Sequence, residues 1–190
     1  MTFIHGTAIV EDGASIGEGT RIWSNAQIRP GATIGNNCTI GRNCFVDVDV
    51  TVGSNVKVQN NSSLHEGVVV EDGVFIGPHV IFTNDKLPRA INADGRLKDK
   101  GDWLVSHTTV RYGAAIGAGC VVVAGITIGR WSMIGSGAVI TRDVPDFAMM
   151  VGNPATVLGY VSAGGVRCDS QAEAMALSEV EASSASSSDM

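Results

Sequence analysis

From Ile4 to Phe82 every sixth residue is a branched or bulky apolar side chain: Ile4, Val10, Ile16, Ile22, Ile28, Ile34, Ile40, Val46, Val52, Val58, Leu64, Val70, Ile76 and Phe82. A period of six is neither the 3.6 of a helix nor plain alternation, so each hexad reads as one supersecondary unit of an internal repeat. A smaller residue follows four positions after each anchor, as at Ala8, Ala14, Thr20, Ala26, Ala32, Cys38, Cys44, Val50 and Val56. One large and one small inward residue per hexad suit a narrow prism, where a second bulky chain would overpack the corner. Glycine often follows the anchor directly, at Gly17, Gly35, Gly41, Gly53 and Gly77, and is expected there to permit the turn conformations of tight corners. Three hexads then close one coil of a triangular β-solenoid. Coils stack at roughly 4.8 Å, placing Ile22 over Ile4 and Ile40 over Ile22.

The register breaks once, between Phe82 and Val110, and then continues through Ile116, Val122, Ile128, Ile134 and Ile140. The segment between, placed at about residues 84–106, is expected to leave the wall. It holds Lys86, Arg89, Arg96, Lys98 and Lys100, a basic cluster in a chain of net charge −6, and would suit a phosphorylated or carboxylated ligand. A solvated loop, or one packed on a neighbouring subunit, is the alternative.

The chain has 190 residues, 24 glycines and 5% aromatic residues, which fits one repetitive domain better than a layered α/β fold. Its acidity argues against nucleic acid as a partner, and no stretch approaches the roughly 20 apolar residues that span a bilayer. The start, MTFIHGTAIVEDG, lacks the pattern of a signal peptide, so the cytoplasm is expected. Cys38, Cys44 and Cys120 occupy the small position of their hexads and Cys168 lies beyond the repeats. No spacing suggests a disulfide or a zinc site. Residues 1–168 are assigned to the solenoid with its loop and 169–190 to an acidic, serine-rich tail. In that tail QAEAMALSEVEA suits a short helix with an apolar stripe, able to cap the last coil or lie on a partner subunit, and SSASSSDM is expected to be disordered.

The repeat resembles that of the hexapeptide-repeat acyltransferases over about residues 4–160, which implies a left-handed parallel β-helix. Handedness rests on that resemblance alone. The segment DVPDFAMMVGNPATVLGYV, Asp143 to Val161, looks like the end of many acyl-CoA-dependent members. HVIFTNDKLPRA, His79 to Ala90, is similar to the enzymes that acetylate the 3-amino group of nucleotide-linked 3-amino-3-deoxy sugars. Within that group the chain most resembles the UDP-2-acetamido-3-amino-2,3-dideoxy-D-glucuronate N-acetyltransferases of bacterial lipopolysaccharide O-antigen synthesis. An N-acetyltransferase of a dTDP-linked 3-amino-3-deoxyhexose, or an O-acetyltransferase of the superfamily, is the alternative. The resemblance implies acetyl-CoA as co-substrate, no metal, and a homotrimer with sites between subunits.

The chemistry asks little of the protein. A sugar amine flanked by electron-withdrawing groups is less basic than a lysine at about 10.4, and the thiolate expelled has a conjugate acid near 8.5, so it can itself take the proton. Positioning and oxyanion stabilisation then carry most of the acceleration. Asn84 is the leading candidate to contact the amine, against its use as an Asx-turn residue, while Asp85 either binds the amine or serves the turn. His65, expected to project outward one coil below Thr83, is the candidate base; His5, His79 and His107 rank below it. Lys86 and Arg89 are assigned to the acceptor's diphosphate or carboxylate. For the donor, Gly113, Gly117, Ser136 and Gly137 offer close approach to pantetheine, and Arg130 and Arg142 cations for its phosphates. A γ-class carbonic anhydrase would need three clustered zinc histidines, which His65, His79 and His107 do not supply. A non-catalytic scaffold would bind CoA without turnover.

Overall fold

Nearly every hexad forms a strand of only two residues ending on the anchor, as in Arg21–Ile22, Gln27–Ile28 and Thr33–Ile34, and Val68–Val70 and Thr108–Val110 have three. In this computed structural model, which describes residues 1–187, the anchors from Ile22 to Phe82 and from Val110 to Ile140 are buried. Parallel pairing joins each strand to the one a full coil away: Ile4 to Ile22 and Ile22 to Ile40 on the first face, Val10 to Ile28 on the second, Ile16 to Ile34 on the third. The faces are sheets of ten, seven and six strands. The result is a parallel β-solenoid of about 8 turns, the architecture of the left-handed β-helix of hexapeptide repeats. The lowest coil is the exception to burial. Ile4 is 46% exposed, with no coil beneath it.

The small position also points inward, and its polar members reach the backbone of the next coil except Ser132, whose hydroxyl donates to Gly129 O in its own turn. Thr20 Oγ1 donates to Gly35 O at 2.7 Å and Ser62 Oγ to Gly77 O at 2.8 Å. The thiols of Cys38, Cys44 and Cys120 donate to Gly53 O, Gln59 O and Gly135 O at 3.0, 3.0 and 3.2 Å. Such bonds matter because an unpaired buried donor would cost about 1–3 kcal/mol. Burial pushes all three thiols above their ordinary pKa.

The glycines after the anchors have a different purpose from the one expected. None of Gly17, Gly35, Gly41, Gly53 and Gly77 has a positive φ. They are required because the next coil presses on them: a Cβ on Gly77 would meet Ala118 N, Gly117 C and Ile116 O at 2.8 Å. The left-handed residues come two positions later, at Gly19, Asn37, Asn55 and their equivalents. Asparagine tolerates that conformation next best to glycine.

The inserted segment leaves the stack undisturbed. Val70 pairs with Val52 on one side and Val110 on the other, and Phe82 with Leu64 and Val122. Ser106 N donates to Asn84 O at 3.0 Å, closing the base of the loop.

At the other end, Ala148–Gly152 extends the first face, Ala155–Val161 folds back antiparallel upon it, and Arg167–Cys168 adds a third strand. The helix Gln171–Ser187 packs on this hairpin. Polar groups supply much of its docking; Ala174 is fully buried and Leu177 half-buried, while Met175 and Val180 are exposed. Glu181 accepts from Ser162 Oγ and Gly164 N, and Ser178 Oγ from Ala163 N. The apolar part of its contact is narrow and centred on Ala174. The helix also runs into the serine segment expected to be disordered, with Ser183 and Ser184 hydroxyls bonding back to Glu179 O and Val180 O; residues 188–190 of that segment lie outside the described residues. Among the described residues no helix is long and apolar enough to cross a membrane.

Gly77→Ala should cost about 1–3 kcal/mol, because three backbone atoms oppose the new methyl. Asn55→Gly, at a φ of 59°, should be nearly neutral. Thermal melts of the two variants check the contrast; equal melting temperatures would refute the close-approach account.

Candidate active site

The loop departs at the corner between the second and third faces, directly after Thr83, whose Oγ1 accepts from Ala124 N at 3.0 Å and so ties the departure point to the next coil. Asn84 is half-buried, and its side-chain amide has no hydrogen-bond partner among the described residues. With Asp85, Arg89, Lys98 and Trp103 it lines a cavity of about 560 Å³. The Asx turn considered for Asn84 is made by its neighbour: Asp85 Oδ1 accepts from Leu87 N at 2.8 Å. Asn84 is thereby left with an unengaged amide facing the cavity.

Arg89 and Lys86 part company. Arg89 is exposed and lines the cavity, with NH1 donating to Pro88 O at 3.2 Å. Lys86 instead lies over Gly125, where an added Cβ would meet its Nζ at 2.7 Å. The loop is also less basic than its cations suggest, because Asp85, Asp94, Asp99 and Asp102 are interspersed. Arg96 is paired with Asp94 at 2.8 Å, and Asn92 Nδ2 donates to Asp102 at 2.8 Å. These partners, Arg96 and Asn92, pull the two carboxyls below the usual range. Lys98, a member of the basic cluster read from the sequence, lines the cavity together with Trp103, which the sequence leaves unassigned.

His65 sits one coil below Thr83, as the register of Leu64 with Phe82 requires. Beneath it the same outward position holds Asp47, Arg29 and Glu11 in turn, a column of alternating charge. His65 Nδ1 is 3.5 Å from Asp47 Oδ2, Arg29 NH1 3.8 Å from Asp47 Oδ1, and Arg29 Nε 3.1 Å from Glu11 Oε1, at an angle that misses hydrogen-bond geometry. Phe45 packs beside the imidazole, ring centroids 5.5 Å apart. The histidine is thus backed by a largely buried carboxylate.

The six residues assigned to the donor fall on three corners. Gly113 lies under the Trp131 ring, and Arg130 is 3.7 Å from Glu71 within a group that also holds Arg111 and Asp146. Its charge is already met. Gly117 is pressed by Ser136, whose N a Cβ would meet at 2.6 Å, while Gly137, a corner glycine at φ 74°, has open space above it. Arg142 shares the loop's corner, one coil above Ala124, with no ion pair among the described residues. Within one chain only Arg142 adjoins the loop cavity's corner. Among the described residues no group of His, Cys, Asp and Glu is arranged to hold a metal.

Comparison with known proteins bears on this geometry. The bacterial transferase hexapeptide model matches residues 13–47 and 49–84, and the hexapeptide repeat of succinyl-transferase matches 31–66 and 113–142, together more than half of the chain. The chain belongs to the hexapeptide-repeat transferase family. Among its relatives is the dTDP-3-amino-3,6-dideoxy-alpha-D-galactopyranose 3-N-acetyltransferase of Aneurinibacillus thermoaerophilus, 54% identical over 55 residues, 29% of each chain. This family member spans less than a third of that relative's length. Among solved structures, AntD, an N-acyltransferase from Bacillus cereus in complex with dTDP and coenzyme A, superposes with a TM-score of 0.66 at 22% identity, over 77% of this chain and 83% of that one. PerB from Caulobacter crescentus, in complex with CoA and GDP-perosamine, gives 0.51 at 24% identity, over 83% and 57%. At these identities the structures share the fold.

Arg29→Met would leave Glu11 and Asp47 without their shared cation and should lower stability by about 1–2 kcal/mol, between an exposed pair and a buried one. Urea titration measures it; a loss below about 0.3 kcal/mol would show the column to be structurally idle.

Proposed function

We propose that the chain transfers the acetyl group of acetyl-CoA to the 3-amino group of a nucleotide-linked 3-amino-3-deoxy sugar. The observation that carries this is the 54% identical stretch shared with a 3-N-acetyltransferase of a dTDP-linked 3-amino sugar. The unengaged Asn84 amide on the loop cavity supports it, since its carbonyl can accept from the attacking amine. Arg89 and Lys98 give that cavity cations for the acceptor. The open space over Gly137 and the unpaired Arg142 suit the donor. We place the activity in lipopolysaccharide O-antigen sugar synthesis.

Two acceptors remain in play, each with its own support. Arg89 beside the cavity favours the UDP-linked 3-amino hexuronate, whose carboxylate a guanidinium grips through a planar fork. The similar stretch favours a dTDP-linked 3-amino-deoxyhexose. A thiol-release assay with acetyl-CoA and a panel of UDP- and dTDP-linked 3-amino sugars separates them. Turnover of the hexuronate should exceed that of neutral sugars and fall selectively in Arg89→Met. Faster use of the dTDP-sugars would transfer the assignment, and no turnover of any 3-amino sugar would overturn the function.

In the same assay Asn84→Ala should lower kcat/KM by ten-fold or more, about 1.4 kcal/mol, by misplacing the amine. His65→Asn should keep substantial turnover if the leaving thiolate takes the proton. A loss of several orders of magnitude on removing the imidazole, with little effect at Asn84, would reverse the assignment and give the Asp47-backed histidine the role of base.

The functional unit is proposed to be a homotrimer. Leu87, Leu97 and Leu104 of the loop are 80, 77 and 88% exposed in the single chain, more apolar surface than a free loop usually offers water. Light scattering at assay concentration should give three times the chain mass of 19.7 kDa; an active monomer would reject intersubunit sites.

A further inference from the structure

The corner between the first and second faces carries another hollow, of about 300 Å³, on the opposite edge of the second face from the loop. Trp23, Gly41 and Gln59 succeed one another there, coil above coil, linked by Trp23 N to Ile40 O and Gly41 N to Val58 O. Gly41 has no side chain to offer, and the next coil comes so near that a Cβ would meet Asn60 N at 2.6 Å. A notch one residue deep therefore opens between the indole and the Gln59 side chain. Phe3 backs the indole from the coil below, ring centroids 5.5 Å apart, and Trp23 stays 43% exposed. The Gln59 amide has no hydrogen-bond partner among the described residues.

Unpaired positive charge adjoins the same place. Arg42, on the rim, has no ion pair among the described residues, nor do Arg21 and Lys57, the outward residues of neighbouring first-face strands. Arg29, Arg111 and Arg130 on other parts of the solenoid are held by acids, while Arg142 at the loop's corner is likewise without an ion pair among the described residues. The corner sequences Ser24-Asn25, Arg42-Asn43, Asn60-Asn61 and Pro78-His79 contain no acid at all. In a chain of net charge −6 this is a local field for an anion, beside an exposed aromatic face and an amide able to donate and accept at once.

We propose that this hollow is the nucleotide subsite: Trp23 stacks the base, the Gln59 amide reads the base's paired donor and acceptor, and Arg42, with Arg21 and Lys57, takes the diphosphate. The inference rests on the acceptor being nucleotide-linked, as proposed above. In one chain the hollow and the loop cavity flank opposite edges of the second face, so a nucleotide held here presents its sugar to the loop of a second copy. Each site then needs two chains.

The test is calorimetric titration of the full chain with UDP, dTDP, inorganic pyrophosphate and CoA as separate probes. A nucleoside diphosphate should bind at least about ten-fold more tightly than pyrophosphate, the range of a single base-aromatic stack. Trp23→Ala and Arg42→Gln should each weaken it about ten-fold while leaving CoA affinity unchanged. Gln59→Leu, on the wall and remote from the core, supplies a third variant should Trp23→Ala fold poorly. Nucleotide affinity unchanged in Arg42→Gln and Gln59→Leu would overturn the subsite, as would pyrophosphate binding as well as UDP and dTDP. Trp23-dependent nucleotide binding with no acetylation of any amino sugar would leave the subsite standing and reject the activity; acetylation with KM for the acceptor unchanged in the variants would do the reverse.

Discussion

Main-chain hydrogen bonding between consecutive coils is the interaction on which the rest depends. Two-residue strands have almost no stability of their own, yet every coil finds the same partners above and below, as Gly35 N finds Val52 O and Gly53 N finds Val70 O. That ladder sets the coil separation, and the separation dictates what the sequence is allowed to do. An outward side chain directly after the anchor must share its height with another one coil away, so such columns carry glycines that admit contact, as at Gly41 between Trp23 and Gln59, or charges that pair with one another. The Glu11, Arg29, Asp47 and His65 column follows the second course.

The same constraint explains why the interior is legible and the surface is not. An inward residue meets one environment in every coil, so a period of six suffices to find Ile22, Ile40 or Val122, and the small position to find Cys38 and Ser62. Glycine could be located but its purpose could not: after the anchor it answers contact, and two positions later it answers φ, and only the stacked backbone tells these apart.

The candidate site lies where the period fails. Asn84, Asp85 and Arg89 were reachable because the break in register flags them, and they do line one cavity. Lys86 is adjacent to them in sequence, but adjacency says nothing of which way a side chain turns, and it lies over Gly125. The residues assigned to the donor are spread over three corners. Every corner offers glycines and an arginine somewhere, so period alone does not choose among three corners, and Arg130 turned out to be matched by Glu71. The Trp23 hollow is illegible in the sequence for the same reason: Gly41 has the same place in its hexad as Gly17, Gly35 and Gly53.

The loop that closes through Ser106 and Asn84 rejoins the wall in the register it left, with Val70 above Val52 and below Val110 as though nothing had intervened. Folding information and recognition information are therefore written in separate stretches of chain. A lineage can rewrite the words between residues 84 and 106 without renegotiating a single rung of the ladder, and a designer can splice at the same two residues.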